Sequence, residues 1–228
     1  MKKYLLSILL LVSFHKVQAQ NSSKPNILFI AIDDLKPTIG SYGDKLAITP
    51  NIDAIAKNGT TFLNNHTQQA VCGPSRASLL TGKRPDYTKV WDLKTKMRDM
   101  NPDILTIPQY FKQNGYETIG VGKIYDPRCV DNDRDKPSWS VPFINERELN
   151  YPKGYKQPAL GFYQKKKNLA RIIEIKSEAL EKNIQKSKIN KYIRDRYKPP
   201  YEIGDVPDGA YVDGAITNKS LDLLDEID

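Results

Sequence analysis

The amino-acid sequence predicts an α/β protein built on a mostly parallel sheet flanked by helices. Three features predict it. Residues 26–32 form a continuous apolar run rich in β-branched side chains, the pattern of a strand buried on both faces. Strand-like and helix-like segments then alternate up to residue 121, as in layered α/β domains. The composition is that of an ordinary globular chain: 39% hydrophobic and 27% charged, which excludes wholesale disorder. With only 2 Cys in 228 residues a disulfide scaffold is excluded, and 13 Gly with 15 Pro exclude a fibrous or low-complexity chain. This length is expected to form about one domain.

The elements follow in order. Lys2 and Lys3 precede a mostly apolar stretch at residues 4–14, and Val17 and Ala19 supply small residues before Gln20. This is the pattern of a secretory signal over residues 1–19, with an oxidising, secreted or periplasmic destination. Roughly 11 apolar residues fall short of the ~20 that cross a bilayer, so no membrane span is expected. Loss of Lys2, Lys3 and Lys16 would take the net charge from +8 to +5.

The run at 26–32 stops at Asp33-Asp34. Thr49 as N-cap and Pro50 at the first position open a helix to about Lys57, closed by Asn58-Gly59. Residues 60–63 read as a short strand, and residues 74–80 as a helix stopped by Gly82. A helix is expected over 103–113, ended by Asn114-Gly115, and a returning strand over 116–121. Residues 126–163, rich in Pro, Asn, Asp and Tyr, read as a long irregular excursion.

From about residue 168 to 193 the apolar positions Leu169, Ile172, Ile173, Leu180, Ile184, Ile189 and Ile193 fit helical spacing loosely. Residues 163–198 carry 12 basic and 4 acidic side chains. Two readings stand: the solvated face of a surface helix, or a basic arm that touches a polyanionic substrate. A last helix is expected over about 214–227.

Chemistry concentrates at Val71-Cys72-Gly73-Pro74-Ser75-Arg76-Ala77-Ser78. A Cys just ahead of a Pro-initiated helix places its sulfur where backbone N–H groups and the helix dipole favour an anion. Arg76, one turn on, can reach back towards the same point. For an unmodified Cys this setting favours a reactive thiolate.

The Cys-x-Pro-Ser-Arg pattern resembles that of the sulfatases, whose Cys is oxidised to formylglycine. The resemblance extends over further blocks. Residues 26–35 resemble that family's first strand and metal-binding pair. Gly40-Ser41-Tyr42-Gly43-Asp44, Thr49-Pro50-Asn51-Ile52-Asp53, Gln68-Gln69-Ala70-Val71-Cys72, Thr81-Gly82-Lys83-Arg84-Pro85-Asp86, Ile107-Pro108-Gln109-Tyr110-Phe111 and Gly120-Val121-Gly122-Lys123 are similar to its iduronate-sulfatase branch. The match is dense over residues 24–123 and resumes weakly from 205.

What the resemblance implies is an alkaline-phosphatase-like α/β fold and hydrolysis of sulfate esters on a sulfated carbohydrate. The nucleophile would be a hydrated formylglycine at Cys72, made by a formylglycine-generating maturase. One hydroxyl attacks sulfur, the alcohol leaves, and the second hydroxyl expels sulfate by restoring the aldehyde. A Ca²⁺ or Mg²⁺ ion would lower the pKa of the diol and clamp sulfate oxygens. Its ligands would be Asp33, Asp34 and modified Cys72, with Arg76 holding the diol and Lys123 gripping a sulfate oxygen. Consecutive strand residues point to opposite faces, so Asp33 and Asp34 can share one ion only if the strand ends there.

Plainer readings stand beside each role. Asp33-Asp34 could be a turn and helix cap, Cys72 a buried thiol or the partner of Cys129, and Lys123 a surface lysine. Asp126 stands where the branch usually carries His, and a carboxylate repels sulfate; it faces away, binds a cation, or selects another sugar. The family continues with a second metal pair and further strands, so residues 20–228 are expected to be the N-terminal part of a catalytic domain with an incomplete sheet, inactive alone, and 163–198 a basic, helical insertion. The competing functions are a phosphate or phosphonate ester hydrolase of the same superfamily and a non-enzymatic polyanion-binding module. Nucleic acid is not an expected partner, since no reading module is present.

Overall fold

The computed structural model describes residues 24–227. The expected signal segment lies outside them. The chain divides into two units, Met1–Asp34 and Leu35–Asp228. In the first, residues 26–32 carry no strand assignment and a turn follows at Asp33-Asp34. Ile30 is 67% exposed.

The second unit is mostly helical. No β-ladder forms among the described residues, only the isolated bridges Val121–Ile144 (parallel) and Ala159–Tyr163 (antiparallel). Of the expected strands, 26–32 and 60–63 carry no strand assignment, and 116–121 keeps only the single bridge at Val121, with the Ser140 N–H donating to the Thr118 carbonyl at 2.8 Å and the Ile144 N–H to the Gly120 carbonyl at 3.0 Å. The physical reason is that a helix satisfies its N–H and C=O groups within itself, whereas a strand needs a neighbour in register.

The helices start and stop largely at their Pro and Gly signals. Helix α1, Pro50–Asn58, begins after Thr49. The Thr49 hydroxyl does not cap it; it accepts the Gly40 N–H at 2.9 Å and donates to Asp53 at 3.1 Å, tying the Gly40–Tyr42 turn to the helix. Helix α2, Cys72–Thr81, starts two residues before the expected position, which puts Cys72 inside its first turn. Pro74 is tolerated there because first-turn N–H groups have no intrahelical acceptor.

Short helices α3 (Pro85–Thr88) and α4 (Met97–Met100) follow, then α5, Ile107–Gln113. The expected start of α5 at 103 is corrected by Thr106, whose hydroxyl accepts the Gln109 N–H at 3.3 Å and caps the helix, with Pro108 in its first turn.

One core gathers Ala77 and Leu80 of α2 with Val90, Met97, Tyr125, Cys129, Trp139 and Phe143. Met97 is completely buried, which contributes about 1.5–3 kcal/mol for its side chain. Arg98 and the buried Asp135 form an ion pair across this core, and Arg98 also donates to the Ile104 carbonyl at 3.0 Å and to Gln109 at 2.8 Å.

A second core lies under the basic stretch, where α6 (Lys166–Glu181) and α7 (Ile189–Arg196) pack together. The stripe is Ile172, Ile175 and Ala179 against Ile189, Ile193 and Tyr163. Ile173 and Leu180, expected on that face, are exposed. Asn168 occupies the polar end of the stripe, so a purely apolar count reads the period poorly. Helix α8, Val212–Asp225, completes the described elements.

Candidate active site

Cys72 is partly exposed in the first turn of α2, whose N-terminus no side chain caps. Helix dipole and first-turn N–H groups therefore favour an anion at this end. The following Gly73 is demanded by close packing: a Cβ there would overlap Cys129 Sγ and come within 2.9 Å of the Asp92 carbonyl. Cys72 and Cys129 are not joined. Cys129 donates its thiol to the Asp92 carbonyl at 3.4 Å, and burial pushes its pKa up to about 11, so it stays a neutral packing residue.

Arg76 lies one turn beyond Cys72 and is buried. Its Nη1 donates to the backbone carbonyls of Lys123 at 2.6 Å and Ile124 at 2.9 Å. The guanidinium thus pins the segment that carries Lys123 to the helix that carries Cys72. The sequence reading had Arg76 hold the reacting group; the geometry adds a positioning task, with that nitrogen engaged by two carbonyls. Gly122, directly before Lys123, has φ +76, and a Cβ there would sit 2.9 Å from Ile216. Only glycine adopts that backbone without strain, so the bend presenting Lys123 requires it.

Asp126 faces inward. Its carboxylate accepts Arg128 Nε and Nη2, each at 2.8 Å, and the Arg128 backbone N–H at 3.0 Å. The bonds from Arg128 hold this carboxyl below the usual aspartate value against the opposing effect of burial, and the pair raises the Arg128 guanidinium. The repulsion of sulfate expected from Asp126 is thereby offset by an arginine that sequence reasoning did not single out. The local signal was Asp-Pro-Arg, a turn in which an Asp side chain bonds the N–H two residues on.

In the first unit, a carboxylate oxygen of Asp33 lies within 4.8 Å of one of Asp34, and both side chains are exposed. Asp34 has φ +52, a left-handed conformation. That turn removes the strand alternation that would send adjacent side chains to opposite faces. Two hard oxygen donors this close fit a Ca²⁺ or Mg²⁺ ion.

A family model described as Sulfatase matches residues 25–226. The chain is 50% identical to the iduronate 2-sulfatase of Mus musculus over 119 residues, which is 51% of this chain and 22% of that protein. The Homo sapiens iduronate 2-sulfatase matches at the same identity and coverage. A sulfatase of Formosa agariphila is 41% identical over 144 residues, 58% of this chain and 28% of the relative. The chain thus covers less than a third of the length of these curated relatives.

Proposed function

This chain belongs to the sulfatase family, and on that premise we propose that it serves to hydrolyse sulfate esters of a sulfated sugar, with Cys72 as the formylglycine precursor. The single observation that carries the reading is the bond from Arg76 Nη1 to the carbonyls of Lys123 and Ile124, which couples the nucleophile-bearing helix to the cation expected to meet the sulfate. Family membership also implies an alkaline-phosphatase-like α/β fold, the sheet being part of this proposal.

Each residue has a defined task. Cys72, once oxidised, supplies the attacking oxygen from the N-terminal end of α2, where the dipole favours developing negative charge. Arg76 fixes the spacing between α2 and the Lys123 segment, so that alignment is built in before substrate arrives. Lys123 donates to a sulfate oxygen and neutralises charge as the ester bond breaks. Asp33 and Asp34 would hold the divalent cation, Ca²⁺ or Mg²⁺. That ion supplies Lewis-acid polarisation of the sulfate oxygens when bound.

The proposal extends to secretion, directed by residues 1–19, and to dependence on a formylglycine-generating maturase. Among the described residues no helix is long and apolar enough to cross a membrane. The names of two relatives, iduronate 2-sulfatase and an N-acetylglucosamine-6-O-sulfatase, favour a sulfated sugar as substrate.

The test is mass spectrometry of the Cys72 peptide after expression with a maturase, beside release of sulfate from a sulfated sugar by a protein that carries this chain within a full-length catalytic domain. The aldehyde is expected at Cys72. An unmodified thiol under conditions that convert a control sulfatase would overturn the mechanism. Faster release of phosphate than of sulfate from matched esters would move the chain to a phosphate-ester hydrolase.

A further inference from the structure

A cavity of about 190 Å³ lies within the second unit, lined by Lys123, Asp126, Arg128, Arg134 and Glu146 together with Gly122, Tyr125 and Pro127. It is smaller than the ~300–1,000 Å³ of a pocket that encloses a whole ligand, and suits one charged group of a larger molecule. Three cationic side chains line it against two carboxylates, and one of those, Asp126, is committed to Arg128.

Both arginines are held in place yet retain donors. Arg128 spends Nε and Nη2 on Asp126, whose side chain is 0% exposed, while its own side chain is 51% exposed. Arg134 spends Nε on Asn145 Oδ1 at 3.1 Å. A guanidinium carries five N–H donors in a rigid fork, so each arginine keeps an edge that can bind an oxyanion. Arg134 sits at φ +58 and Asp135 at φ +72, an uncommon conformation for non-glycine residues. The Arg134 carbonyl accepts the Trp139 indole N–H at 2.7 Å and the Asp135 N–H donates to Asp131 at 2.8 Å, which hold the turn that delivers Arg134 to the cavity.

We propose that this cavity is a second anion subsite, in which Arg128 and Arg134 hold a carboxylate or a second sulfate borne by the same sugar whose scissile sulfate meets Lys123. The inference rests on the sulfatase reading for the identity of that first sulfate. Asp126 is then a positioning residue: it aims Arg128 and supplies no contact of its own to the substrate.

Calorimetric titration needs no turnover, so it separates this inference from the catalytic reading. The probes are glucose monosulfate, glucose disulfate and a sulfated glucuronic acid. Arg128→Gln is expected to weaken the doubly charged probes about tenfold, the effect of one lost charge-assisted bond, and glucose monosulfate less than twofold. Arg134→Gln should act in the same direction, and Glu146→Gln should tighten the doubly charged probes by removing a rim carboxylate.

Loss confined to the sulfated glucuronic acid identifies a carboxylate subsite, and loss confined to glucose disulfate a second-sulfate subsite. Equal loss for all three probes, or no loss in either arginine variant, overturns the proposal. Because Arg128→Gln leaves a buried carboxylate without its cation, Asp126→Asn combined with Arg128→Gln is measured beside it. If both melt early, the Arg134 and Glu146 variants decide. An unmodified thiol at Cys72 after maturase treatment would sink the catalytic reading while leaving this binding contrast legible.

Discussion

The segment joining α2 to Lys123 and the helical pair α6–α7 are both helical scaffolds with buried faces, but they bury different things. Around α2 the structure buries a guanidinium, Arg76, and uses it to hold two backbone carbonyls 47 and 48 residues further along. In the α6–α7 pair the buried stripe is almost wholly apolar, and the charges lie outside in local pairs such as Lys182–Glu178 and Lys191–Asp195, each at 2.6 Å. Exposed i, i+4 pairs of this kind, screened by solvent, contribute little to stability. The contrast separates two uses of burial: a buried guanidinium that bridges distant backbone carbonyls, and an apolar stripe whose charged neighbours stay in solvent.

The comparison can be broken by substitution. In a protein that carries this chain within a full-length catalytic domain, Cys72→Ala should lower sulfate release by roughly a thousandfold or more, with an unchanged melting temperature, because it deletes the proposed nucleophile and little packing. Steady-state release and a thermal melt check both halves. Turnover within tenfold of the parent would refute the assignment.

Arg76→Ala is expected to cost both activity and stability. Two part-buried carbonyls lose a charged donor, at about 1–3 kcal/mol together, and a displaced Lys123 should cost about a hundredfold in kcat. A variant with normal kcat would show that the link to the Lys123 segment is dispensable.

Ile175→Ala should do the opposite of Cys72→Ala. Ile175 is 1% exposed in the α6–α7 core, so its truncation should remove about 2–5 kcal/mol of stability and leave kcat alone at temperatures where the protein is folded. Denaturant unfolding gives the first number and turnover the second.

The smallest effect is expected at Glu202. Burial opposes its charge, yet bonds from the Gln164 N–H at 2.6 Å, the Tyr211 hydroxyl at 2.8 Å, the Asn168 amide and the Lys165 N–H at 2.9 Å outweigh it and hold the carboxyl below its ordinary 4.5. A depressed carboxyl contributes stability that is present above pH 4.5 and lost as pH falls through the folded-state value. Glu202→Gln should therefore cost about 1–2 kcal/mol at neutral pH and flatten the acid limb of the stability profile. An unchanged acid limb would show that the network contributes nothing.

The readable parts of this molecule are those whose cause lies within about one turn of chain. Pro50, Pro74 and Pro108 lie in first turns, and Gly59 and Gly82 follow last residues, because a proline ring or a missing Cβ acts on its own backbone. Cys72, Arg76 and Lys123 were legible as motifs. The starts of α2 and α5 differ from the expected positions by a few residues because α2 opens after Val71 with no side-chain cap and α5 opens after the capping Thr106. Strand pairing was not legible: residues 26–32 announce an extended segment, but what lies alongside is not written in it.

By itself, the sequence determined the family and the helix stops, and it marked Cys72, Arg76 and Lys123 as the candidates for chemistry, since these depend on side-chain type and near neighbours. Only the tertiary structure decided that Arg76 reaches the Lys123 and Ile124 carbonyls, that Asp126 is neutralised by Arg128, and that Glu202 accepts the backbone N–H groups of Gln164 and Lys165 just ahead of α6. The physical reason is one of range. Propensity and capping act through bonds inside a single turn, whereas a buried charge takes whichever partner the fold brings within hydrogen-bonding distance, and that partner can stand tens of residues away.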